Sequence, residues 1–195
     1  MTTSGVHHFI TEQFVPFPVE LVFAFFANPQ NLPHLMPQRQ KTKVEQMRLQ
    51  APPQRPLAEN PRLRFRSMAA GAGTELDISF SPVPFVPGRI GWQGVIREFE
   101  WNSHFIDEQQ KGPFKSWRHT HRFRTETHPD PREDHTGCMV TGTVVSDDLE
   151  YALPLGPIGI VLNALLFRSR LESLFDYRQQ RLAEILPIAA KQAGL

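Results

Sequence analysis

The stretch Asp107–Phe123, DEQQKGPFKSWRHTHRF, limits what this chain can fold into more than any other. It reads as a strand, a Gly112-Pro113 corner and a second strand. Alternate side chains of a strand point to opposite faces. In the second strand this places Trp117, His119, His121 and Phe123 on one face and Ser116, Arg118, Thr120 and Arg122 on the other. The second face suits water. The first mixes large rings with imidazoles, which suits the wall of a cavity better than a dry core. The expectation is a concave sheet around a pocket for a mostly apolar small molecule.

Size and charge narrow the classes. A chain of 195 residues fits one domain, taken as 1–195. With 21 basic and 20 acidic residues the net charge is +1, which gives no electrostatic case for nucleic acid. The single cysteine, Cys138, allows no internal disulfide or cysteine metal cluster; it reads as a small buried hydrophobe in a strand. The opening MTTSGVHHF lacks a charged-then-apolar signal pattern. The longest apolar stretch, near Ile158–Phe167, is too short to span a bilayer. A cytoplasmic location is the expectation these features support.

Along the chain, Val6–Val15 reads as a first strand. Pro18 suits the first turn of a helix over Val19–Ala27, and Asn28-Pro29 ends it. A second short helix is expected over Asn31–Met36. Lys41–Leu49 reads as a charged edge strand. Four prolines within Ala51–Pro61 mark a loop. Leu63–Met68 is either its own strand or an extension of a neighbour. Thr74–Phe80 puts Leu76, Ile78 and Phe80 on one face. Arg89–Trp101 puts Trp92 and Ile96 in phase, with Val95 and Phe99 opposite. His104–Gln110 groups Phe105, Asp107 and Gln109. A polar loop near His128–Thr136 precedes a β-branched strand, Gly137–Tyr151. A long helix then runs from about Ile158 to Ile185, closed by Pro187. Ile160, Ala164, Phe167, Leu171, Leu174, Phe175, Leu182 and Ile185 make one stripe. Ile158, Leu162, Leu165 and Leu166 make a second stripe in the first half only. That half should be covered on both sides, by the sheet and by a ligand, a loop or a second subunit in a homodimer.

This order predicts an α+β, helix-grip fold: a curved antiparallel sheet of six or seven strands around a long C-terminal helix, with two short helices after strand 1. Three stretches carry a family resemblance: FPVELVFAFFANPQNL at 17–32, FIDEQQKGPFKSWRHTHRF at 105–123 and GTVVSDDLEYALPLGPIG at 142–159. On these the sequence resembles the START/Bet v 1-like (SRPBCC) superfamily, near its polyketide cyclase/dehydrase-like and coenzyme Q-binding START-like bacterial ligand-binding group. The resemblance implies a cavity between sheet and long helix for hydrophobic or amphipathic ligands. The superfamily includes carriers, cyclases, dehydratases, hydrolases and regulators, so the fold does not choose among them. It carries no catalytic motif onto this chain and implies no cofactor.

The candidate ligand contacts are Trp92, Phe105, Asp107, Gln109, Trp117, His119, His121, Phe123 and Tyr151. His119 and His121 lie about 7 Å apart along their strand. Such a pair can serve as a general base, bind a metal, or simply hydrogen-bond inside the cavity. A metal needs a third ligand; Asp107, His104 or Glu150 could approach, and no metal set is assigned. Trp92 and Trp117 can stack on a flat ligand or pack as ordinary core. Asp107 and Gln109, if inward, need hydrogen-bond partners. Tyr151 can offer its hydroxyl to a ligand or cap the sheet. The arginines at 62, 64, 66, 118, 122 and 124 read as solvated faces among acids. No Gly-rich phosphate loop, nucleophile elbow or HExxH helix occurs. Three function classes follow: a hydrophobic-ligand binder, an enzyme of cyclase, dehydratase or hydrolase type using His119 or His121, and a protein-interaction module through the apolar start of the long helix.

Overall fold

The computed structural model describes residues 5–59, 61, 63, 67–81, 88–130, 137–154, 156, 158, 161 and 166–195. Alternating apolar and polar side chains give seven strands: β1 (Val6–Val15), β2 (Lys43–Arg48), β3 (Glu75–Phe80), β4 (Ile90–Glu100), β5 (His104–Lys111), β6 (Ser116–Pro129) and β7 (Met139–Ala152). They form one antiparallel sheet in the order β1-β7-β6-β5-β4-β3-β2. The charged β2 lies at an edge, where its side chains are mostly exposed.

Helix α1 (Val19–Phe26) begins after Pro18 and ends before Pro29. The turn after it, Pro29–Leu35, is a 3-10 helix capped by Asn28, whose side chain accepts from the Gln30 N–H. Pro29 and Pro33 lack N–H groups, which discourages a regular α-helix there. Phe23 of α1 is fully buried and meets Phe99, Phe105 and Phe123 edge-on. That aromatic knot closes one end of the curved sheet.

Two strand details differ from the sequence reading. Phe99 points to the same side as Ile96, packing 5.3 Å from Phe23, because the β4–β5 register shifts between Ile96 and Glu98. A bulge inserts one residue and reverses the alternation beyond it. Cys138 is exposed just ahead of β7 rather than buried within a strand. The Leu63–Met68 segment lies largely outside the described residues.

The C-terminal helix α2 spans Arg168–Ala193 and continues through Pro187. A proline inside a helix removes one hydrogen bond and costs roughly 3 kcal/mol. Buried Leu186, Ala190 and Ala193 offset this, and Gly194, at φ 94°, caps the end. Of the apolar segment before α2, Ile158, Val161 and Leu166 are more than half exposed. Ile160, Leu162, Ala164 and Leu165 lie outside the described residues.

Helix α2 sits toward one side of the sheet. Gln179 Nε2 donates to Thr11 Oγ1 at 2.9 Å, and Gln13 Nε2 donates to the Gln179 carbonyl at 2.9 Å. Leu171 and Phe175 pack with Phe9 of β1 and with Leu149 and Tyr151 of β7. Leu182 and Leu186 join the core around Phe23. With the helix held over β1 and β7, a hollow is left in front of β3, β4 and β5.

Candidate functional site

The hollow has a volume of about 680 Å³. Leu76, Ile78 and Phe80 of β3 line it, with Trp92 and Ile96 of β4, Phe105 and Asp107 of β5, and Trp117, His119 and His121 of β6. Phe26, Leu32, Leu35 and Met36 close one side; Phe167, Leu171, Leu174 and Phe175 bound it along α2. The alternation read from the sequence thus delivers these side chains to one face. Trp92 lies flat because two neighbours have no side chain. A Cβ at Gly94 would meet the Trp92 ring at 2.0 Å, and one at Gly112 would meet it at 2.9 Å.

Three ionisable groups, Asp107, His119 and His121, form a polar floor, with Asp147 behind them. Asp107 is paired with His119 across β5–β6, and Asp147 with His121 across β6–β7. The closest hydrogen bonds run diagonally instead. His119 Nε2 lies 2.9 Å from Asp147 Oδ1, and His121 Nε2 lies 3.2 Å from Asp107 Oδ1. His121 Nδ1 also lies 2.8 Å from Asp147 Oδ1, but out of line for a hydrogen bond. His119 Nδ1 is 3.8 Å from Asp107 Oδ1. The two imidazoles face each other with centroids 3.8 Å apart, and Phe105 stacks on His121 at 4.4 Å.

Burial opposes charge at every one of these groups, and the partners decide the outcome. At Asp147, burial is outweighed by the hydrogen bond from His119 and the close His121 imidazole, which hold the carboxyl well below the usual range. Asp107 is lowered too, as its burial is outweighed by the His121 hydrogen bond and by nearby positive charge, that of Arg178 included. At His121, burial is outweighed by the hydrogen bond with Asp107 and the adjacent Asp147 carboxylate, which raise its pKa. His119 is lowered, by burial first and then by the charge of His121. The pairings thus favour the charged form of both carboxylates and of His121, and the neutral form of His119.

The remaining candidates are placed differently. Gln109 does not reach the cavity; its amide donates to the Phe114 carbonyl at 2.7 Å and fixes the Gly112-Pro113 corner. Phe123 is buried in the aromatic knot. Tyr151 is 1% exposed and packs against Trp117, Phe167 and His7. His104 lies 3.7 Å from Glu98 and 3.6 Å from Glu100 on the outer side, and Glu150 is exposed. Neither approaches the histidines. Asp147, by contrast, receives no role from sequence. The available signal is its place as the lone acid on the face shared by Thr143, Val145, Leu149 and Tyr151. On the outer face, Arg118 pairs with Glu108 and Glu98, and Arg124 pairs with Glu12 and Glu126.

A curved antiparallel sheet gripping one long C-terminal helix, with a lined hollow between them, defines the helix-grip class of the START/Bet v 1-like superfamily. Within it, residues 15–175 match the family described as polyketide cyclase / dehydrase and lipid transport, and the chain belongs to that family. A crystal structure of a protein from Thermus thermophilus is similar, with TM-score 0.52 and 19% identity over 90% of this chain and 97% of that one. The nucleoside-diphosphate sugar epimerase from Corynebacterium glutamicum is also similar, with TM-score 0.53 and 23% identity. That likeness covers 92% of this chain but 29% of the epimerase chain. At these identities the structures share the fold. No curated protein sequence matches the chain. Among the described residues, no helix is long and apolar enough to cross a membrane.

Proposed function

We propose that the protein binds a small amphipathic molecule, its apolar body in the hollow between the sheet and α2 and its polar end at Asp107, His119 and His121. The observation that carries this is the cavity itself, whose 680 Å³ falls within the range of small-molecule sites. Its walls are mostly rings and branched aliphatics, and Asp107, His119 and His121 gather on one part of them. Burial of ligand surface would supply most of the affinity, at about 25 cal/mol per Å² before ordering costs. Arg39 and Arg170 also line the cavity and have no acidic partner among the described residues. They favour a ligand with an anionic group.

Native mass spectrometry of freshly purified protein, followed by titration with a naphthalene-sulfonate probe, tests this. The expected result is a co-purified small molecule or saturable one-to-one probe binding, reduced at least tenfold by Ile78→Trp, which fills the hollow. Absence of both co-purified molecule and saturable binding would overturn the reading. Turnover of a bound molecule that His119→Gln abolishes without loss of binding would make the protein an enzyme of this family rather than a carrier.

A further inference from the structure

We infer that Asp107, His119 and His121 form a binding site for one first-row divalent transition-metal ion, and that Asp147 orients both imidazoles for it. One ligand atom from each of the three residues lies within 4.8 Å of the others. Asp107 Oδ1 is already 3.2 Å from His121 Nε2 and 3.8 Å from His119 Nδ1. Ligand atoms about 2.1 Å from a shared ion sit roughly 3–3.5 Å apart. Side-chain adjustments of about 1 Å would complete the set.

Asp147 is the second observation. Its Oδ1 faces the far nitrogen of each ring, accepting from His119 Nε2 at 2.9 Å and lying 2.8 Å from His121 Nδ1. With protons on those nitrogens, the lone pairs of His119 Nδ1 and His121 Nε2 both turn toward Asp107. Metal-binding histidines are commonly held this way by a carboxylate behind them. The metal-free network leaves the His121 Nδ1 group buried without a hydrogen bond. An ion would let the ring turn fully toward Asp147.

Charge and access agree. Two carboxylates, Asp107 and Asp147, outnumber the one guanidinium near them, Arg178, whose charge reaches Asp107; with neutral imidazoles the cluster keeps a net negative charge, which favours a cation. Two nitrogen donors and one oxygen donor fit a borderline ion such as zinc, cobalt or iron(II) better than magnesium or calcium. Asp107, His119 and His121 line the main cavity, whereas Asp147 lies behind them against Gln179 and Leu182. Three protein ligands leave coordination positions open on the cavity side.

The test is a titration of tag-free, chelator-treated full-length protein with Co(II), read by visible absorption and calorimetry, with Zn(II) competition. One ion per chain at micromolar or tighter affinity is expected. His121→Ala or Asp107→Asn should weaken binding at least 100-fold, and Asp147→Asn about 10- to 100-fold. Zn(II) should raise the melting temperature of the wild type but not of the His119→Gln/His121→Gln protein. A wild type that takes up no ion overturns the inference without any variant. So does binding that survives in the His119→Gln/His121→Gln protein. The titration uses no organic ligand, so its failure leaves the ligand-binding reading standing.

Discussion

His119 and Asp147 are not cross-strand partners, yet His119 Nε2 reaches Asp147 Oδ1 at 2.9 Å. Asp147 is registered opposite His121, so its carboxylate leans along the strand to touch both rings. Both groups are nearly inaccessible to water. Removing Asp147 leaves the buried His119 N–H without its acceptor and takes a neighbouring negative charge from His121. Asp147→Leu should therefore destabilise metal-free protein by about 3 kcal/mol, measured by urea unfolding. A change below 1 kcal/mol would mean that the cluster reorganises freely.

The same pair sets a pH dependence in chelator-treated protein. The Asp147 pKa is lowered on folding, so its contribution is present above the ordinary value of 3.8 and fades as pH falls through the folded value. The His121 pKa is raised, so its contribution is complete below 6.5 and fades as pH rises through the folded value. His119 acts in the opposite sense to His121, because its pKa is lowered. The stability difference between wild type and His121→Gln should shrink as pH climbs above neutrality. Unfolding midpoints at a series of pH values would show it; a difference that grows with pH would contradict the assignment.

Gly94 should be intolerant of substitution for a reason unrelated to backbone conformation. Any Cβ there occupies the space of the Trp92 ring. Gly94→Ala should push Trp92 into the hollow, alter tryptophan emission and weaken probe binding about tenfold or more. Unchanged emission with full binding would show that the strand yields instead.

Pro187 is exposed and lies inside the continuous helix α2. Pro187→Ala restores an N–H without removing buried surface. It should stabilise the protein by about 1–2 kcal/mol, less than the full helix penalty because alanine also frees the unfolded chain. Denaturant midpoints check this.

Much of the architecture was legible because strand and helix periods are local properties. The inward face of Trp117, His119 and His121 follows from alternation alone, and so does the outward arginine face. The order of elements was enough to suggest the helix grip. Errors fell where tertiary packing overrules local preference: the bulge that turns Phe99 inward, and the buried Leu186, Ala190 and Ala193 that carry α2 past Pro187.

The site divides in the same way. Local sequence determined that two imidazoles share a sheet face, since alternation needs only neighbouring residues. Only the tertiary structure decided which acids meet them. Asp107, His104 and Glu150 were all open as a third ligand beside the imidazoles, and Asp147 had no assigned role. Strand register and the direction of each pleat brought Asp107 and Asp147 inward and sent His104 and Glu150 out. Those properties depend on pairing between residues far apart in the chain, Asp107 with His119 at 12 positions and His121 with Asp147 at 26, which no local pattern encodes.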